Sequence, residues 1–147
     1  MAPLDVAQAF VARINAHDVD GLVALMTPQH RFVDSLGHII LGSETVRGAW
    51  RGYFGMVPDY RLAAECWLCE GPIVVMFGTA GGTYSPDGVR GSAREWACPA
   101  ACRVLVSGGL VEEWRVYADN EPIRQLMRGG ASPGAAAGSP PAAPGRR

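Results

Sequence analysis

The sequence predicts a single α+β domain in which three N-terminal helices pack on one face of a strongly curved antiparallel sheet. Apolar residues recur at helical spacing in the first part of the chain, and four long strand-like runs then follow one another through turn signals. The 147 residues are enough to bury one core. We expect the domain to span residues 1–128, followed by an Ala/Gly/Pro-rich tail over residues 129–147 that has too little apolar surface to order itself.

Two helices are expected at the start of the chain. Apolar residues at helical spacing from Leu4 to Ile14 predict an amphipathic helix over residues 3–16. Asp18 is a residue type that caps helix N-termini, and the apolar residues after it predict a short second helix that Pro28 stops. Each helix would have one apolar face available for packing.

Two short strands and a third helix come next. Residues 31–41 predict two strands around a turn at residues 35–37. Ser43 can cap the third helix, which carries aromatic residues on one side. These aromatic residues are Trp50, Tyr53 and Phe54. They are candidates for the roof of an interior cavity, although ordinary core packing is the simpler interpretation.

Four long runs form the rest of the sheet, and Gly- and Pro-containing turns between them predict an antiparallel meander. The runs are Tyr60–Cys69, Ile73–Tyr84, Trp96–Val106 and Leu110–Tyr117. Pro99 inside the third run implies a bulge, a bend or an edge position. Pro122 fits the first turn of a closing helix that ends near Met127.

Composition excludes several classes of function. The net charge is -1 and the pI about 6.3, so neither nucleic acid nor a membrane surface is an expected partner. All 13 basic residues are arginine, which excludes a Schiff-base lysine and a Walker A lysine. No apolar run is long enough for a bilayer, and the N-terminal residues do not resemble a signal peptide. We therefore expect a cytoplasmic protein.

The four cysteines do not predict a metal or redox site. Cys66 and Cys69 form a CxxC motif, and Cys98 and Cys102 are four residues apart. Residues three apart in a strand point to opposite faces, and the CxxC does not begin a helix that would activate a thiol. We expect four reduced, small apolar residues, and we predict no metal and no cofactor.

Asp34 is the strongest candidate for chemistry. It lies among apolar residues of a predicted strand, and alternation directs it to the same face as Phe32 and Leu36. A carboxylate on a buried face has a raised pKa and can carry a proton. His38 would share this face and could relay the proton. Alternatively, Asp34 turns back to accept backbone N–H bonds in the turn, which would lower its pKa.

Three motifs carry a resemblance to a known superfamily. They are Asn-Ala-His-Asp-Val-Asp-Gly-Leu at residues 15–22, Phe-Val-Asp-Ser-Leu-Gly at 32–37 and Val-Glu-Glu-Trp-Arg-Val-Tyr-Ala-Asp-Asn at 111–120. Together they resemble the NTF2-like superfamily, in particular its SnoaL-like and ketosteroid-isomerase-like branch, over residues 4–127. The resemblance implies a cone-shaped domain. It does not specify an activity, because this fold carries several enzymes and non-catalytic modules.

The catalytic residues of this superfamily can be compared with the sequence position by position. In the isomerase branch the general base is an aspartate at the position of Asp34. That branch places a tyrosine donor where this chain has Phe10, and a protonated aspartate where it has Ala101. Both oxyanion donors are thus missing, and steroid isomerisation by that mechanism is not expected. Val116 stands where the epoxide-hydrolase branch requires an aspartate.

The resemblance also implies which side chains would line the cone. In the last strand Trp114 and Val116 would face the interior, whereas Arg115 and Tyr117 would face outward, where such proteins pair as homodimers. The register could be wrong by one residue, which would exchange the two sets. The expected pocket residues are Phe10, Phe32, Trp50, Tyr53, Phe54, Phe77, Ala101, Trp114 and Val116.

Three functional hypotheses remain open from the sequence. The first is a cofactor-independent isomerase, cyclase or dehydratase that transfers a proton on a small apolar molecule, with Asp34 as base and His38 beside it. The second is a non-catalytic module that binds a small ligand in the same pocket. The third is a dimerisation domain with a filled interior. In each case we expect a homodimer through the outer face of the sheet.

Overall fold

Four helices and six strands make up the part of the chain that this computed structural model describes, residues 1–88 and 94–130. In chain order they are α1 (Pro3–Asn15), α2 (Val19–Ala24), β1 (Met26–Val33), β2 (Ile39–Leu41), α3 (Ser43–Met56), β3 (Arg61–Glu70), β4 (Ile73–Thr83), β5 (Glu95–Ser107), β6 (Leu110–Ala118) and α4 (Glu121–Gly130). The α+β class is therefore confirmed. Of the three helices before the long strands, α2 has only six residues, so α1 and α3 form most of the helical layer.

The ends of the first two helices follow from local hydrogen bonds. The Asp5 carboxylate accepts the backbone N–H of Ala2 at 3.2 Å, at the start of α1. The side chain of Asp18 caps α2 by accepting the N–H of Gly21 at 2.9 Å, and it also pairs with Arg13 of α1. The short connection thus fixes α2 against the end of α1. His17, between the helices, has a positive φ of 55°.

The sheet is mixed, which corrects the prediction of an antiparallel sheet. Its strand order is β2-β1-β6-β5-β4-β3, and β1 and β6 are parallel while every other neighbouring pair is antiparallel. The connection through α3 carries the chain from β2 to the far edge of the sheet, where β3 begins. Three hairpin reversals then return β6 to β1 in the same direction. Strand patterns in the sequence predict the meander but not the parallel pairing of β1 with β6, because this pairing depends on the position in the sheet at which the chain continues after α3.

The first strand begins earlier than predicted. It starts at Met26 and includes Pro28, which was expected only to stop the second helix. The register of β1 on β6 shifts between Met26 and Arg31, so the proline lies in an irregular part of the pairing, where a missing N–H is tolerated. Pro99 behaves similarly, because pairing of β5 with β6 ends at Ala100, one residue after it.

The core lies between the helices and one face of the sheet. On β5 every second residue from Trp96 to Val106 is buried, and on β4 the buried face includes Val74 and Met76. A single cluster joins these residues to the apolar faces of the helices. We call this the inner face of the sheet and the opposite one the outer face. The sheet's alternation therefore decides which side chains can reach the interior.

The end of the described chain extends slightly beyond the predicted domain boundary. Helix α4 continues to Gly130, whereas the domain was predicted to end at residue 128. The remainder of the predicted tail, residues 131–147, lies outside the described residues. No helix within residues 1–88 or 94–130 has the length and apolarity required to span a bilayer.

Candidate functional site

Asp34 lies directly after β1 and is buried, with 4% of its side chain exposed. Its Oδ1 atom accepts the backbone N–H groups of Leu36 and His38, both at 2.9 Å. The turn is closed further by two backbone bonds, from the N–H of Asp34 to the carbonyl of His38 and from the N–H of Gly37 to the carbonyl of Asp34. The carboxylate thus holds the turn that joins β1 to β2, as in the second interpretation of the sequence.

His38 completes a carboxylate–imidazole pair at this turn. Its Nδ1 is 3.1 Å from Oδ2 of Asp34, and 46% of its side chain is exposed. The same turn is joined to the rest of the fold by Asn120, whose Nδ2 donates to the hydroxyl of Ser35 at 2.6 Å. An imidazole held by a carboxylate can pass a proton. The two predicted catalytic residues are therefore in contact. Their chemical role stays a prediction.

Seven of the nine predicted pocket residues belong to the core, namely Phe10, Phe32, Trp50, Tyr53, Phe54, Trp114 and Val116. The Phe10 and Trp114 rings are 5.0 Å apart between centroids, and Phe32 meets Trp50 edge-on at 6.1 Å. Phe32 and Trp114 are also direct neighbours across the parallel pair β1–β6. The structure therefore brings these seven residues, six of them aromatic, from two helices and the sheet into one core cluster.

Phe77 and Ala101 are not pocket residues, which corrects the sequence-based assignment. Phe77 is 43% exposed, and it pairs across the sheet with Ala101, which in turn pairs with Tyr117. Tyr117 faces outward, so directly paired neighbours must face outward too. The position of Ala101 was obtained by counting along the sequence with no gap, and the structure places Ala101 on the outer face, between two buried neighbours, Ala100 and Cys102. Cys102, opposite Val116, faces the interior instead.

The inner face of β5 carries two thiols next to two phenols. Burial raises the pKa of Cys102 to about 12, and it also raises the pKa of Cys98. Burial likewise raises the pKa values of Tyr53 and Tyr60, whose rings meet edge-on at 5.0 Å. All four groups therefore remain protonated and uncharged at neutral pH. They can donate weak or ordinary hydrogen bonds but cannot act as bases there.

Within residues 1–88 and 94–130, six buried side-chain polar atoms have no hydrogen-bond partner, and four of the six lie in the core. They are Nε2 of His30, Nε1 of Trp50, the hydroxyl of Tyr53 and Nε1 of Trp96. Sequence reasoning treated the tryptophans and the tyrosine as apolar pocket walls and gave His30 no role. Alternation did contain a signal, because His30 shares the face of Phe32 and Asp34. Native proteins leave few buried polar groups unpaired, so four in one core require an explanation.

Side chains fill the interior around five of the core aromatic residues. Phe10, Phe32, Trp50, Tyr53 and Trp114 are each at most 1% exposed. Three of the depressions that described residues line touch neither Asp34 nor any of the nine predicted pocket residues. One of them, of about 350 Å³, borders Trp96 on the side of β3, β4 and β5. A ligand that reaches the unpaired interior atoms must therefore displace side chains.

Metal ligands are not assembled in this part of the molecule. Within residues 1–88 and 94–130, no three His, Cys, Asp or Glu side chains form a group that could hold a metal ion. All four cysteines are free, with Cys66 and Cys69 exposed on β3 and the other two buried.

Comparison with known proteins agrees with the resemblance seen in the sequence. The family model described as a SnoaL-like domain matches residues 7–114. A search of curated protein sequences found no match. Among solved structures, a hypothetical protein from Catenulispora acidiphila with a ketosteroid isomerase-like fold, in complex with trimethylamine, superimposes with a TM-score of 0.73 and 18% identity. That match covers 90% of this chain and 96% of the other.

Two further structures show the same fold. A candidate SnoaL-like polyketide cyclase from Jannaschia sp. CCS1 has a TM-score of 0.72 and 20% identity, with 89% of this chain and 92% of the other covered. An uncharacterised cystatin-fold protein from Novosphingobium aromaticivorans has a TM-score of 0.67 and 23% identity, with 79% and 97% covered. At these identities the likeness concerns the fold, and the chemistry has to be argued from the site.

Proposed function

The chain belongs to the SnoaL-like domain family, and on that premise we propose that it binds a small, uncharged, largely apolar molecule between its helices and the inner face of the sheet and transfers a proton on it. The observation that carries this proposal is the set of four unpaired polar atoms in the core. A buried polar atom without a partner costs about 1–3 kcal/mol, and a ligand with matching polar groups would recover this cost.

The unpaired atoms also limit the chemistry of the ligand. The indole N–H groups of Trp50 and Trp96 can only donate, and the hydroxyl of Tyr53 can donate or accept. A ligand with a carbonyl oxygen suits such donors. The aromatic surroundings favour a ring compound, and an anionic ligand next to the Asp34 carboxylate would lose its hydration without gaining a positively charged partner. We therefore propose a neutral carbonyl compound as the substrate class.

Proton transfer is proposed at Asp34 with His38 as its partner. Oδ1 of Asp34 is occupied by two turn N–H groups, whereas Oδ2 contacts only Nδ1 of His38 among the described bonds and keeps a further lone pair. The carboxylate would remove a proton from carbon next to the carbonyl, and the electron pair would move to the carbonyl oxygen. Return of the proton at another atom gives isomerisation. In cyclisation the enolate carbon would attack a second carbonyl carbon of the same molecule, the π electrons of that carbonyl would move to its oxygen, and Asp34 would return its proton to this oxygen. Neither reaction requires a cofactor.

Names of relatives are compatible with this class. The Jannaschia protein of the same fold is described as a candidate polyketide cyclase, and cyclisation of that kind begins with removal of a proton next to a carbonyl. An isomerase, a cyclase and a dehydratase share this first step. We therefore propose the proton transfer that these three reaction types share.

The proposal is tested by hydrogen exchange on a simple ketone. 1-Tetralone is incubated with the protein in D₂O, and deuterium at the carbon next to the carbonyl is measured by mass spectrometry. A positioned base contributes about 100- to 10,000-fold, so the wild type should exchange at least about 100 times faster than buffer. Asp34→Asn should return exchange to the buffer rate. The asparagine keeps Oδ1 for the two turn N–H groups, so the fold should be retained.

Asp20→Asn is the matched control, because Asp20 is exposed on α2 and pairs with arginines of α3. This variant should exchange as fast as the wild type. Equal exchange by Asp34→Asn and the wild type would remove Asp34 as the base.

A non-catalytic binding module is the second candidate, and one observation favours it. The Asp34 carboxylate already serves the turn through two backbone bonds and a contact with His38, which is sufficient reason for an aspartate at this position. Under this alternative the protein would bind 1-tetralone, seen as a rise in Tm, without accelerating deuterium exchange. Acceleration that depends on Asp34 would exclude it.

We also propose a homodimer through the outer face. Four large apolar residues of this face are more than 40% exposed, namely Leu68, Ile73, Phe77 and Tyr117. Beside them lies a cluster of both charge signs, in which Glu113 contacts Arg31, Arg103 and Arg115. Glu113 is already paired within its own chain, so the exposed apolar residues would make the contact with a second copy about a twofold axis. A second copy of this chain is therefore the occupant we propose.

A further inference from the structure

His30 is a buried histidine to which the proposed proton transfer gives no role. It lies in β1, is fully buried, and its ring centroid is 6.0 Å from that of Phe10. Its Nδ1 is 2.8 Å from the carbonyl oxygen of Val111 in β6. This bond spans the irregular part of the parallel pair, where the register shifts between Met26 and Arg31. Nδ1 of the ring therefore helps to join β1 to β6, whereas Nε2 has no such structural role.

The bond to Val111 fixes the tautomer of the ring. A carbonyl oxygen can only accept, so Nδ1 must carry the hydrogen. Burial is the main cause that lowers the pKa of His30 to about 4, and the positive charge of Arg31 lowers it further. The bond to Val111 and the negative charge of Glu113 raise the pKa, but by less. The ring is therefore neutral at pH 7 with its single hydrogen on Nδ1. Nε2 carries a free lone pair.

Nε2 of His30 is one of the four unpaired interior atoms, and it is the one among them that can only accept. Trp50, Tyr53 and Trp96 could each supply a donor, yet their polar atoms are unpaired as well, so none of them satisfies the imidazole. Phe10 lies between His30 and Trp114 and offers no donor either. The core thus holds an acceptor that no side chain within residues 1–88 or 94–130 satisfies.

We propose that Nε2 of His30 accepts a hydrogen bond from a hydroxyl group of the bound molecule and thereby selects hydroxyl-bearing ring compounds. This inference rests on the proposed function, since it requires a ligand in the interior. It extends the substrate class from a neutral carbonyl compound to one that also carries a phenolic, enolic or alcoholic hydroxyl. A site built to bind a hydroxyl rejects the analogue that lacks it, because its polar group then stays unpaired.

The test uses two probes that differ in one hydrogen-bond donor, 2-naphthol and 2-methoxynaphthalene. Binding is measured by isothermal titration calorimetry at pH 7. The wild type should bind 2-naphthol at least about tenfold more tightly, the ratio that corresponds to 1.4 kcal/mol. In His30→Asn the side-chain amide can still donate to Val111, but the acceptor at Nε2 is gone. The preference should then fall below about twofold, with affinity for 2-methoxynaphthalene unchanged.

Asp20→Asn is the control here as well, because Asp20 is exposed on α2 and contacts arginines of α3 rather than the core. This variant should keep the tenfold preference for 2-naphthol. Loss of the preference in Asp20→Asn as well would show that the effect does not come from His30.

A measurement on the wild type keeps the proposal testable even if His30→Asn does not fold. In protein labelled with ¹⁵N-histidine, the Nε2 resonance of His30 should move when 2-naphthol is added and stay in place with 2-methoxynaphthalene. Equal affinity for both probes with an unmoved Nε2 resonance would overturn the role of His30 and leave the interior site standing. Failure of both probes to bind would overturn the interior site itself.

Discussion

The neutral state of His30 predicts how the stability of the protein depends on pH. The pKa of His30 is lowered from 6.5 to about 4 in the folded protein, chiefly by burial. Between these two values the unfolded chain binds more protons than the folded one, so stability is lost as the pH falls through this window. Above pH 7 both states hold a neutral imidazole, and the contribution of His30 to the pH dependence vanishes.

The size of the effect follows from the two pKa values. Linkage gives a loss of about 2 kcal/mol between pH 7 and pH 5 and about 3 kcal/mol by pH 4 from this one residue. A domain of this size has a total stability of about 5–15 kcal/mol, so the loss is a large share. The charges near His30 change the result little, because Arg31 and Glu113 act in opposite directions.

Urea denaturation at pH 7 and pH 5 measures this quantity. The free energy of unfolding of the wild type should fall between the two pH values by about 2 kcal/mol more than that of His30→Asn, which has no titrating group at this position. Taking the difference between the two proteins cancels every other titrating group. An equal fall in both would mean that His30 is accessible to solvent and titrates normally, which would refute both its burial and the tautomer argument.

Two further predictions concern the sheet. Gly78→Ala should destabilise the protein by about 1–3 kcal/mol, because the new Cβ would lie 2.0 Å from the carbonyl oxygen of Ala63 in β3. Gly55→Ala is the comparison: a Cβ there lies in open space on α3, so this variant should stabilise the protein by about 0.5–1 kcal/mol. Thermal unfolding measures both changes, and changes of the same sign would contradict the prediction. Phe77→Lys and Tyr117→Lys should each convert the dimer into a monomer, because they place a charge on the proposed interface. Light scattering after size-exclusion chromatography measures this. A wild-type protein that is monomeric at micromolar concentration would overturn the proposed outer-face dimer.

Local sequence signals located most elements within one or two residues. The first helix was expected over residues 3–16 and spans Pro3–Asn15, and the fourth strand was expected to begin at Ile73 and does so. These boundaries depend on short-range features such as helical spacing, capping residues and turn signals. The parallel pairing of β1 with β6 was missed, because it joins segments about 80 residues apart and no local pattern records it.

The sequence predicted part of the geometry around Asp34, whereas the roles of the site residues stay predictions. Asp34 and His38 are indeed in contact, since a turn of four residues leaves few other arrangements. Phe77 and Ala101 were assigned to the wrong face, because a shift of one residue in strand register moves every side chain to the opposite side. His30 was given no role, since its importance depends on a partner in β6 for one nitrogen and on the absence of a partner for the other.

By itself, the sequence determined the α+β class, the order of helices and strands, the superfamily and the acidic residue after the first strand, because each of these depends on residues close together in the chain. Tertiary structure decided which way the first strand runs against the last, which side chains enter the core, and that the Asp34 carboxylate binds its own turn. It also decided that four polar atoms of the core are enclosed without a partner in the part of the chain that the structure describes. Enclosure and pairing are properties of segments brought together from distant positions, and they exist only once the chain has folded.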